Sequence, residues 1–221
     1  MSQARIFPFV HELRAPSVRG FLHVPENPSG DGLVLTHGAG ANCESPLLVA
    51  LATAFGDSGL SVLRCDLPFR QLRPHGPPPR GNAERDQEGL QNAVGAMRRV
   101  SGRVFLGGHS YGGRQSTMLA AEKPDLVNGL LLLSYPLHPP KKPEQLRTAH
   151  LPSLRTPSLF VQGSRDGMGG VEEMEGALKL IPARTELVII RGAGHELVSA
   201  KTVPDVTALV VKAFLAFVDG G

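Results

Sequence analysis

The chain has 221 residues, including 26 glycines and 19 prolines, and a formal net charge of +3. A chain of this length buries about 70% of the surface that its unfolded form exposes, so it can form a core without disulfide bonds. Its two cysteines, Cys43 and Cys65, are too few for a disulfide-based scaffold. No apolar run approaches the roughly 18 residues of a membrane span. The apolar patch at positions 6–10 is too short for a secretory leader. The mild net charge argues against nucleic-acid binding.

Short apolar runs alternate with segments of helical period along the chain, which is typical of βαβ units in a parallel sheet. Strands are predicted at 32–36, 61–65, 103–107, 130–134, 158–162 and 186–190. Helices are predicted at 46–57, 83–100, 113–121, 171–180 and 204–218. Weak strands at 7–10 and 20–24 predict an antiparallel hairpin added at one edge of the sheet.

Two proline-rich connections interrupt this alternation, at 69–82 and at 138–157. Their composition predicts irregular structure, and the first is typical of a functional or lid-like loop. The second is short, so we expect any cap over a site to be small. Both connections are predicted to line the substrate pocket.

A candidate nucleophile lies in the pentapeptide Gly-His-Ser-Tyr-Gly at 108–112, between a predicted strand and a predicted helix. This context matches the G-x-S-x-G elbow, in which the serine backbone is strained and the glycines provide room for the turn. The helix N-terminus that follows favours developing negative charge. We predict that Ser110 is a nucleophile; the alternative is an ordinary glycine-rich turn with a capping serine.

A triad also needs a general base and an acid, which follow the serine in the order acid, then histidine. His195 is the only histidine after Asp166, and it follows the last predicted strand in a Gly-Ala-Gly-His loop. Among the carboxylates between Ser110 and His195, only Asp166 ends a predicted strand. We predict His195 as the base and Asp166 as the acid; the alternatives are a loop histidine and a turn-forming aspartate.

A tetrahedral oxyanion needs two N–H donors in fixed positions. The backbone N–H of Tyr111, directly after the predicted nucleophile, is one candidate. The small residues of the His-Gly-Ala-Gly-Ala segment at 37–41 allow a close backbone approach, and we predict the N–H of Ala39 as the second donor. His37 is expected to organise this segment by hydrogen bonds, with a role as a second base as the alternative.

Three further residues are candidates for substrate binding: Arg114, His37 and His109. Arg114 lies in the first turn of the helix after Ser110, where a cation opposes the helix dipole and therefore calls for a partner. We consider a carboxylate, a carbonyl group of the segment 134–138, or an anionic group of the substrate.

Four arginines flank the first proline-rich connection: Arg70, Arg73, Arg80 and Arg85. We interpret them as solvated loop charge, with steering of an acidic substrate as the alternative. Cys43 and Cys65 are interpreted as inert packing residues. The irregular histidine spacing fits no metal site, and the glycines near position 39 lack the lysine of a phosphate-binding loop, so neither a metal nor a cofactor is expected.

Five sequence blocks carry a family resemblance: 37–40 (HGAG), 66–69 (DLPF), 108–114 (GHSYGGR), 134–139 (SYPLHP) and 161–166 (VQGSRD). Together they resemble α/β-hydrolases over nearly the full chain. Within that superfamily they are similar to the predicted hydrolases related to testis-expressed protein thirty and to the third regulatory subunit of the NSL acetyltransferase complex. Dienelactone hydrolases are a more distant resemblance, and they use a cysteine where this chain has Ser110.

The resemblance implies an α/β-hydrolase fold, with a mostly parallel twisted sheet of six to eight strands, helices on both faces, little or no lid and a Ser-Asp-His site. The expected activity is that of a carboxylesterase-like serine hydrolase acting on a small-molecule acyl substrate. A thioesterase or peptidase using the same triad and a catalytically silent interaction module are the alternatives. We expect one cytoplasmic domain over 1–221, a monomer or homodimer, without nucleic-acid or membrane partners.

Overall fold

An eight-stranded sheet runs through the centre of the protein. The computed structural model describes residues 3–220, so the first two residues and the last residue of the predicted domain lie outside the described residues. The strands are β1 (Arg5–His11), β2 (Val18–Val24), β3 (Asp31–Thr36), β4 (Ser61–Asp66), β5 (Arg103–His109), β6 (Leu130–Leu133), β7 (Ser158–Gly163) and β8 (Thr185–Ile190).

The strand order is β1-β2-β4-β3-β5-β6-β7-β8. From β4 to β8 in that order all neighbours are parallel, whereas β1 pairs with β2 and β2 with β4 in antiparallel fashion. The predicted parallel sheet with an antiparallel hairpin at one edge is therefore confirmed. Because the carboxyl ends of parallel strands meet at one edge, the loops that follow β3, β5, β7 and β8 are brought together there.

Helices cover both faces of the sheet, as predicted. They are α1 (Pro46–Asp57), α2 (Pro68–Leu72), α3 (Ala83–Met97), α4 (Tyr111–Glu122), α5 (Val171–Leu178) and α6 (Val203–Asp219), with a 3-10 turn at Leu151–Ser153. Buried side chains of α1 and α6 share one hydrophobic core, and those of α3, α4 and α5 share the other. None of the helices within residues 3–220 has both the length and the apolar character needed to cross a bilayer.

Successive residues of a central strand serve different cores, because neighbouring side chains in a strand point to opposite faces. In β3, Leu33 packs on the α1 and α6 side and Val34 on the α3, α4 and α5 side. On the first side, the ring of Phe214 in α6 meets the rings of Phe55 and Phe105 nearly edge-on, with centroid distances of 5.5 and 5.4 Å. This phenylalanine cluster joins α6 to α1 and to β5.

Among the predicted boundaries that differ from the structure, two differ for a clear local reason. The helix predicted at 83–100 ends at Met97, because the chain turns there to enter β5, with the N–H of Val100 donating to the Met97 carbonyl. The strand predicted at 130–134 ends at Leu133, because Ser134 has a φ of 48°, outside the strand region.

Two predicted irregular segments contain helix. The helix predicted at 113–121 already begins at Tyr111, although the glycine pair at 112–113 weakens the helical signal of the sequence. The first proline-rich connection starts with the short helix α2, in which Pro68 occupies an early helical position where proline is favoured. The part of this connection that directly follows β4 is therefore ordered rather than lid-like.

Candidate active site

Ser110 lies in the turn between β5 and α4. Its φ is 51° and its ψ is −114°, a backbone conformation that residues other than glycine rarely adopt. The N–H of Ser110 donates to the carbonyl oxygen of Leu133 at 2.8 Å, so the neighbouring strand β6 supports the turn. This is the geometry expected of a strained strand-to-helix elbow.

The glycines of the elbow have no room for side chains. A Cβ on Gly112 would lie 2.6 Å from both the His37 carbonyl oxygen and Thr36 Cγ2. A Cβ on Gly108 would lie 2.9 Å from the Thr36 carbonyl oxygen and equally close to the Gly112 carbonyl carbon. Because these positions lack side chains, the start of α4 lies directly against the end of β3 and the loop that follows it. We call residues 37–41 the β3 loop.

Two further side chains form a hydrogen-bonded series with Ser110. Ser110 Oγ lies 2.8 Å from His195 Nε2. His195 Nδ1 lies 3.0 Å and 2.9 Å from the two carboxylate oxygens of Asp166. Asp166 follows β7 and His195 follows β8, so the structure brings together all three predicted side chains at the carboxyl edge of the sheet.

The carboxylate of Asp166 is fully buried and accepts hydrogen bonds at both oxygens. Gln162 Nε2 donates to Oδ2 at 2.9 Å, and the N–H of Met168 donates to Oδ1 at 2.8 Å. With an ionised carboxylate that only accepts, His195 Nδ1 must carry a proton. In the neutral ring His195 Nε2 is then free to accept the proton of the serine hydroxyl. No sequence motif indicated the role of Gln162, because that role depends on the bend of the chain after β7.

One predicted oxyanion donor, Tyr111, belongs to the elbow, and the loop that carries the other, Ala39, passes beside it. Tyr111 is the first residue of α4, where a backbone N–H has no acceptor within the helix. The β3 loop passes close to the nucleophile, since a Cβ built on Gly38 would lie 3.5 Å from Ser110 Cβ. Ala39 is the next residue of that loop. The role of the two N–H groups as an oxyanion site stays a prediction.

His37 is fully buried and therefore has no surface with which to bind a substrate, in contrast to our expectation. His37 Nε2 accepts the N–H of Leu67 at 3.1 Å, so Nδ1 carries the proton and donates to the Gly38 carbonyl oxygen at 2.8 Å. Burial lowers the pKa of His37 and favours this neutral form. The Gly38 carbonyl belongs to the same peptide group as the N–H of Ala39, so His37 polarises and orients that N–H.

His109 is also buried, with 7% of its surface exposed, and it too was expected among the substrate-binding residues. Its Nε2 lies 2.9 Å from the carbonyl oxygen of His195 and must donate to it. The centroids of the His109 and His195 rings lie 5.4 Å apart. Burial lowers the pKa of His109, so the ring is neutral. Its main contact is thus a bond that ties the elbow to the loop carrying His195.

An apolar cavity of about 310 Å³ opens beside His109. Ala41 of the β3 loop and Leu47 of α1 form one side, and Val198 and Val203 form the other. Neither of the two proline-rich connections, which we expected to line the substrate pocket, contributes to this cavity. The cavity is bounded instead by the ends of α1 and α6 that face the site.

Arg70 is buried, with 5% of its surface exposed, so its interpretation as solvated charge was wrong. The guanidinium group donates to the carbonyl oxygens of Ala39 and Ala41 at 2.7 Å each, and of Arg73 and Gly76 at 2.9 Å each. One planar group therefore joins the β3 loop to the first proline-rich connection. The other three flanking arginines are exposed, as expected: Arg73, Arg80 and Arg85.

Asp86, which no sequence motif indicated, holds Tyr111 in place. The fully buried carboxylate of Asp86 accepts the Tyr111 hydroxyl at 2.8 Å, the N–H of Phe69 at 3.1 Å and Asn82 Nδ2 at 3.0 Å. Burial raises the pKa of Asp86, and these donors oppose that shift. Asp86 thus joins α2 and α3 to the first residue of α4.

The remaining candidate, Arg114, lies half-buried on the first turn of α4. Within residues 3–220 its side chain has neither of the protein partners that we considered, a carboxylate or a carbonyl group of the segment 134–138.

Cys43 and Cys65 are buried, and burial raises the pKa of the Cys43 thiol to about 12. That thiol is protonated at neutral pH.

Known proteins share this architecture. The solved structure of a dienelactone hydrolase from Anabaena variabilis is 22% identical, the match covers 96% of this chain and 98% of that one, and the TM-score is 0.75. Est1E from Butyrivibrio proteoclasticus is 16% identical, with coverages of 96% and 99% and a TM-score of 0.74. An α/β serine hydrolase without a lid from Xanthomonas campestris is 16% identical, with coverages of 93% and 92% and a TM-score of 0.69.

At these identities the structural matches establish the fold, which is that of an α/β-hydrolase with little or no lid. A family model described as an α/β-hydrolase domain matches residues 30–218, a range that includes β3 to β8 and each of Ser110, Asp166 and His195. The chain therefore belongs to the α/β-hydrolase family.

Proposed function

We propose that the protein is a serine hydrolase that cleaves an ester or a related acyl compound through an acyl-enzyme. The observation that carries the proposal is the hydrogen-bonded series from Ser110 through His195 to Asp166 at a strained elbow. Its order, geometry and place at the carboxyl edge of the sheet match the requirements of nucleophilic acyl transfer.

In the proposed reaction, Ser110 Oγ attacks the carbonyl carbon of the substrate while His195 Nε2 takes the hydroxyl proton. Collapse of the tetrahedral intermediate breaks the bond to the leaving group, which receives that proton from His195. Water then attacks the acyl-enzyme, with His195 again accepting and returning a proton, and the carboxylic acid is released. Asp166 keeps the imidazole in the required tautomer and stabilises its cationic form.

The N–H groups of Tyr111 and Ala39 bind the oxyanion in this proposal. Two contacts described above and one property of the helix end support that assignment. Asp86 holds Tyr111, His37 orients the peptide of Ala39, and the N-terminal end of α4 favours negative charge.

We propose a carboxylesterase-like activity on a small-molecule acyl substrate, with a thioesterase or peptidase as chemical variants of the same machinery. The five sequence blocks support membership of the subgroup of testis-expressed protein thirty and the third regulatory subunit of the NSL acetyltransferase complex. The hydrogen-bonded triad favours an enzyme over a silent interaction module. A single cytoplasmic domain, acting as a monomer or homodimer, is part of the same proposal.

The test is covalent labelling by a fluorophosphonate probe, which reacts with activated serines. We expect stoichiometric modification of the folded protein, located at Ser110 by peptide mass spectrometry, and none of the heat-denatured protein. Ser110→Ala is expected to abolish the labelling. Ser153→Ala, which changes an exposed serine outside the site, is expected to retain it.

A natively folded protein that resists the probe would contradict the proposed function. Stable capture of a protein partner by that unreactive chain would then support the silent module. Hydrolysis of a p-nitrophenyl ester that persists in Ser110→Ala would instead show that another group attacks the carbonyl carbon.

Arg70→Met is expected to lower kcat for p-nitrophenyl acetate by about 10- to 100-fold, with KM changed by less than about threefold. Removal of an oxyanion donor costs about 2.7 to 4 kcal/mol of the barrier reduction, and displacement of the β3 loop costs part of that. The substitution also leaves four carbonyl groups without their donor, and this loss lowers the free energy of unfolding by about 1 to 3 kcal/mol. Steady-state kinetics and urea unfolding measure the two effects.

Arg80→Met is the matched control, because Arg80 lies exposed in the same connection. We expect it to leave both kcat and the free energy of unfolding unchanged. Arg70→Lys, which retains the charge but not the planar set of donors, is expected to recover only part of kcat. Full activity of Arg70→Met would show that the β3 loop is positioned without Arg70.

A further inference from the structure

Two arginines near α4 have no carboxylate partner among residues 3–220. Arg114 follows Ser110 by one helical turn, and Arg147 belongs to the second proline-rich connection. Both are partly buried. Neither takes part in any ion pair that the structure shows among residues 3–220.

The guanidinium groups of these arginines also have few hydrogen bonds. Arg114 Nε is buried and lacks any acceptor within the described part of the chain. The Arg147 side chain makes one long bond, at 3.4 Å, from Nη1 to the carbonyl oxygen of Pro136. A guanidinium group has five N–H donors, and a buried donor without an acceptor is destabilising. Most of these donors therefore remain available to a ligand.

Shared neighbours place the backbones of the two arginines on either side of His150. Thr117 Oγ1 lies 2.8 Å from the Arg114 carbonyl oxygen and 2.8 Å from His150 Nε2. The Tyr135 hydroxyl donates to the Arg147 carbonyl oxygen at 3.2 Å and lies 3.4 Å from the same nitrogen of His150. Tyr135 and the second proline-rich connection thus pack directly against α4.

The fixed charges of this site are positive. Burial lowers the pKa of Arg147, and the nearby charge of Arg114 lowers it further. Burial, together with Arg114, lowers the pKa of His150 to about 4, so this ring is neutral at physiological pH. Two partly desolvated cations near each other are unfavourable unless an anion joins them.

We propose that Arg114 and Arg147 bind an oxyanion of the substrate, a carboxylate or a phosphate, so that the enzyme selects acyl compounds that carry a negative charge. A guanidinium group matches the geometry of either anion with two parallel hydrogen bonds. This inference rests on the proposed function, because it assigns the anion to the molecule that Ser110 attacks. It also explains a cation at the N-terminal end of α4, where a bound anion is favourable.

The test is isothermal titration of the full-length Ser110→Ala protein, which binds an ester without cleaving it. Monomethyl glutarate carries the carboxylate, and dimethyl glutarate is its uncharged analogue. We expect the monoester to bind at least about tenfold more tightly, the order expected for hydrogen bonds to a charged group. Titration with methyl phosphate shows whether phosphate is preferred over carboxylate.

Arg114→Gln and Arg147→Gln, each added to Ser110→Ala, are expected to remove most of the preference for the monoester. Arg155→Gln is the matched control, because Arg155 lies exposed in the second proline-rich connection, to which Arg147 also belongs. We expect it to retain the preference. A rise in salt should weaken monoester binding and leave diester binding unchanged. This salt effect needs no arginine variant and therefore does not depend on the variants folding.

The two proposals fail in different ways. If the fluorophosphonate probe labels Ser110 but both glutarate esters bind equally, the anion site is wrong and the hydrolase stands. If the probe fails and the two arginines still select the monoester, the anion site stands and the hydrolase is wrong. A monoester preference that survives loss of both arginines also contradicts the anion site.

Discussion

Asp166→Asn is expected to lower kcat for ester hydrolysis by about 10⁴-fold, the order found when the acid of a Ser-His-Asp triad becomes an amide. In the native site both carboxylate oxygens accept N–H groups, from Gln162 and Met168, as well as from His195. An amide has only one oxygen, so its NH2 group faces one of these donors. Donation from that NH2 group to Nδ1 moves the imidazole proton to Nε2, which then cannot accept the proton of Ser110.

Steady-state kinetics with p-nitrophenyl acetate measure this loss, and circular dichroism checks that the variant is folded. Asp205→Asn is the matched control, because Asp205 is an exposed carboxylate in the first turn of α6. We expect it to leave kcat unchanged. A kcat for Asp166→Asn within tenfold of the native value would mean that another group orients His195.

Phe214→Ala is expected to lower the free energy of unfolding by about 3 to 5 kcal/mol. The ring of Phe214 is completely buried, and it contacts Phe55 and Phe105 nearly edge-on. Its removal leaves a cavity where α6, α1 and β5 meet, and these well-packed elements cannot close it fully. Urea unfolding followed by circular dichroism measures the change.

Leu209→Ala provides the comparison on the same helix, because Leu209 is 45% exposed. We expect its effect to stay within about 0.5 kcal/mol, as is usual for surface substitutions. Fluorophosphonate labelling of Phe214→Ala in the absence of urea tests whether the loss of packing at Phe214 leaves the reactivity of Ser110 unchanged. A loss of less than about 1 kcal/mol would indicate that the three rings rearrange to fill the space.

The parts of the site that could be predicted from the sequence are those with a local signature. Ser110 lies between two glycines, each of which has to lack a side chain for the turn to form. Asp166 and His195 follow strand ends, and parallel strands bring such ends to one edge of the sheet. The sequence pattern therefore pointed to all three side chains, although their catalytic role awaits the labelling experiment.

The supporting residues could not be predicted, because their contacts link distant parts of the chain. Arg70 reaches Ala39 across 31 positions, and an arginine beside several prolines looks like an ordinary surface residue in sequence. Asp86 lies within α3 and reaches Tyr111 across 25 positions. Burial of His37 likewise involves residues distant in sequence, because its ring accepts the N–H of Leu67 and lies beside the ring of Phe69. The supporting roles of these residues depend on which side chains the folded chain brings close together, and no local sequence signal carries that information.

The bond from His109 to the His195 carbonyl, together with docking of α6 on α1, has a consequence for the order of events during synthesis. On the ribosome, the strands at the centre of the sheet and the strained serine emerge well before the loop after β8. Because a domain generally folds as a unit, the site cannot be complete before β8, the loop that follows it and α6 have all been made. In the proposed mechanism the newly made polypeptide thus gains its chemistry last, when its C-terminal helix settles into place.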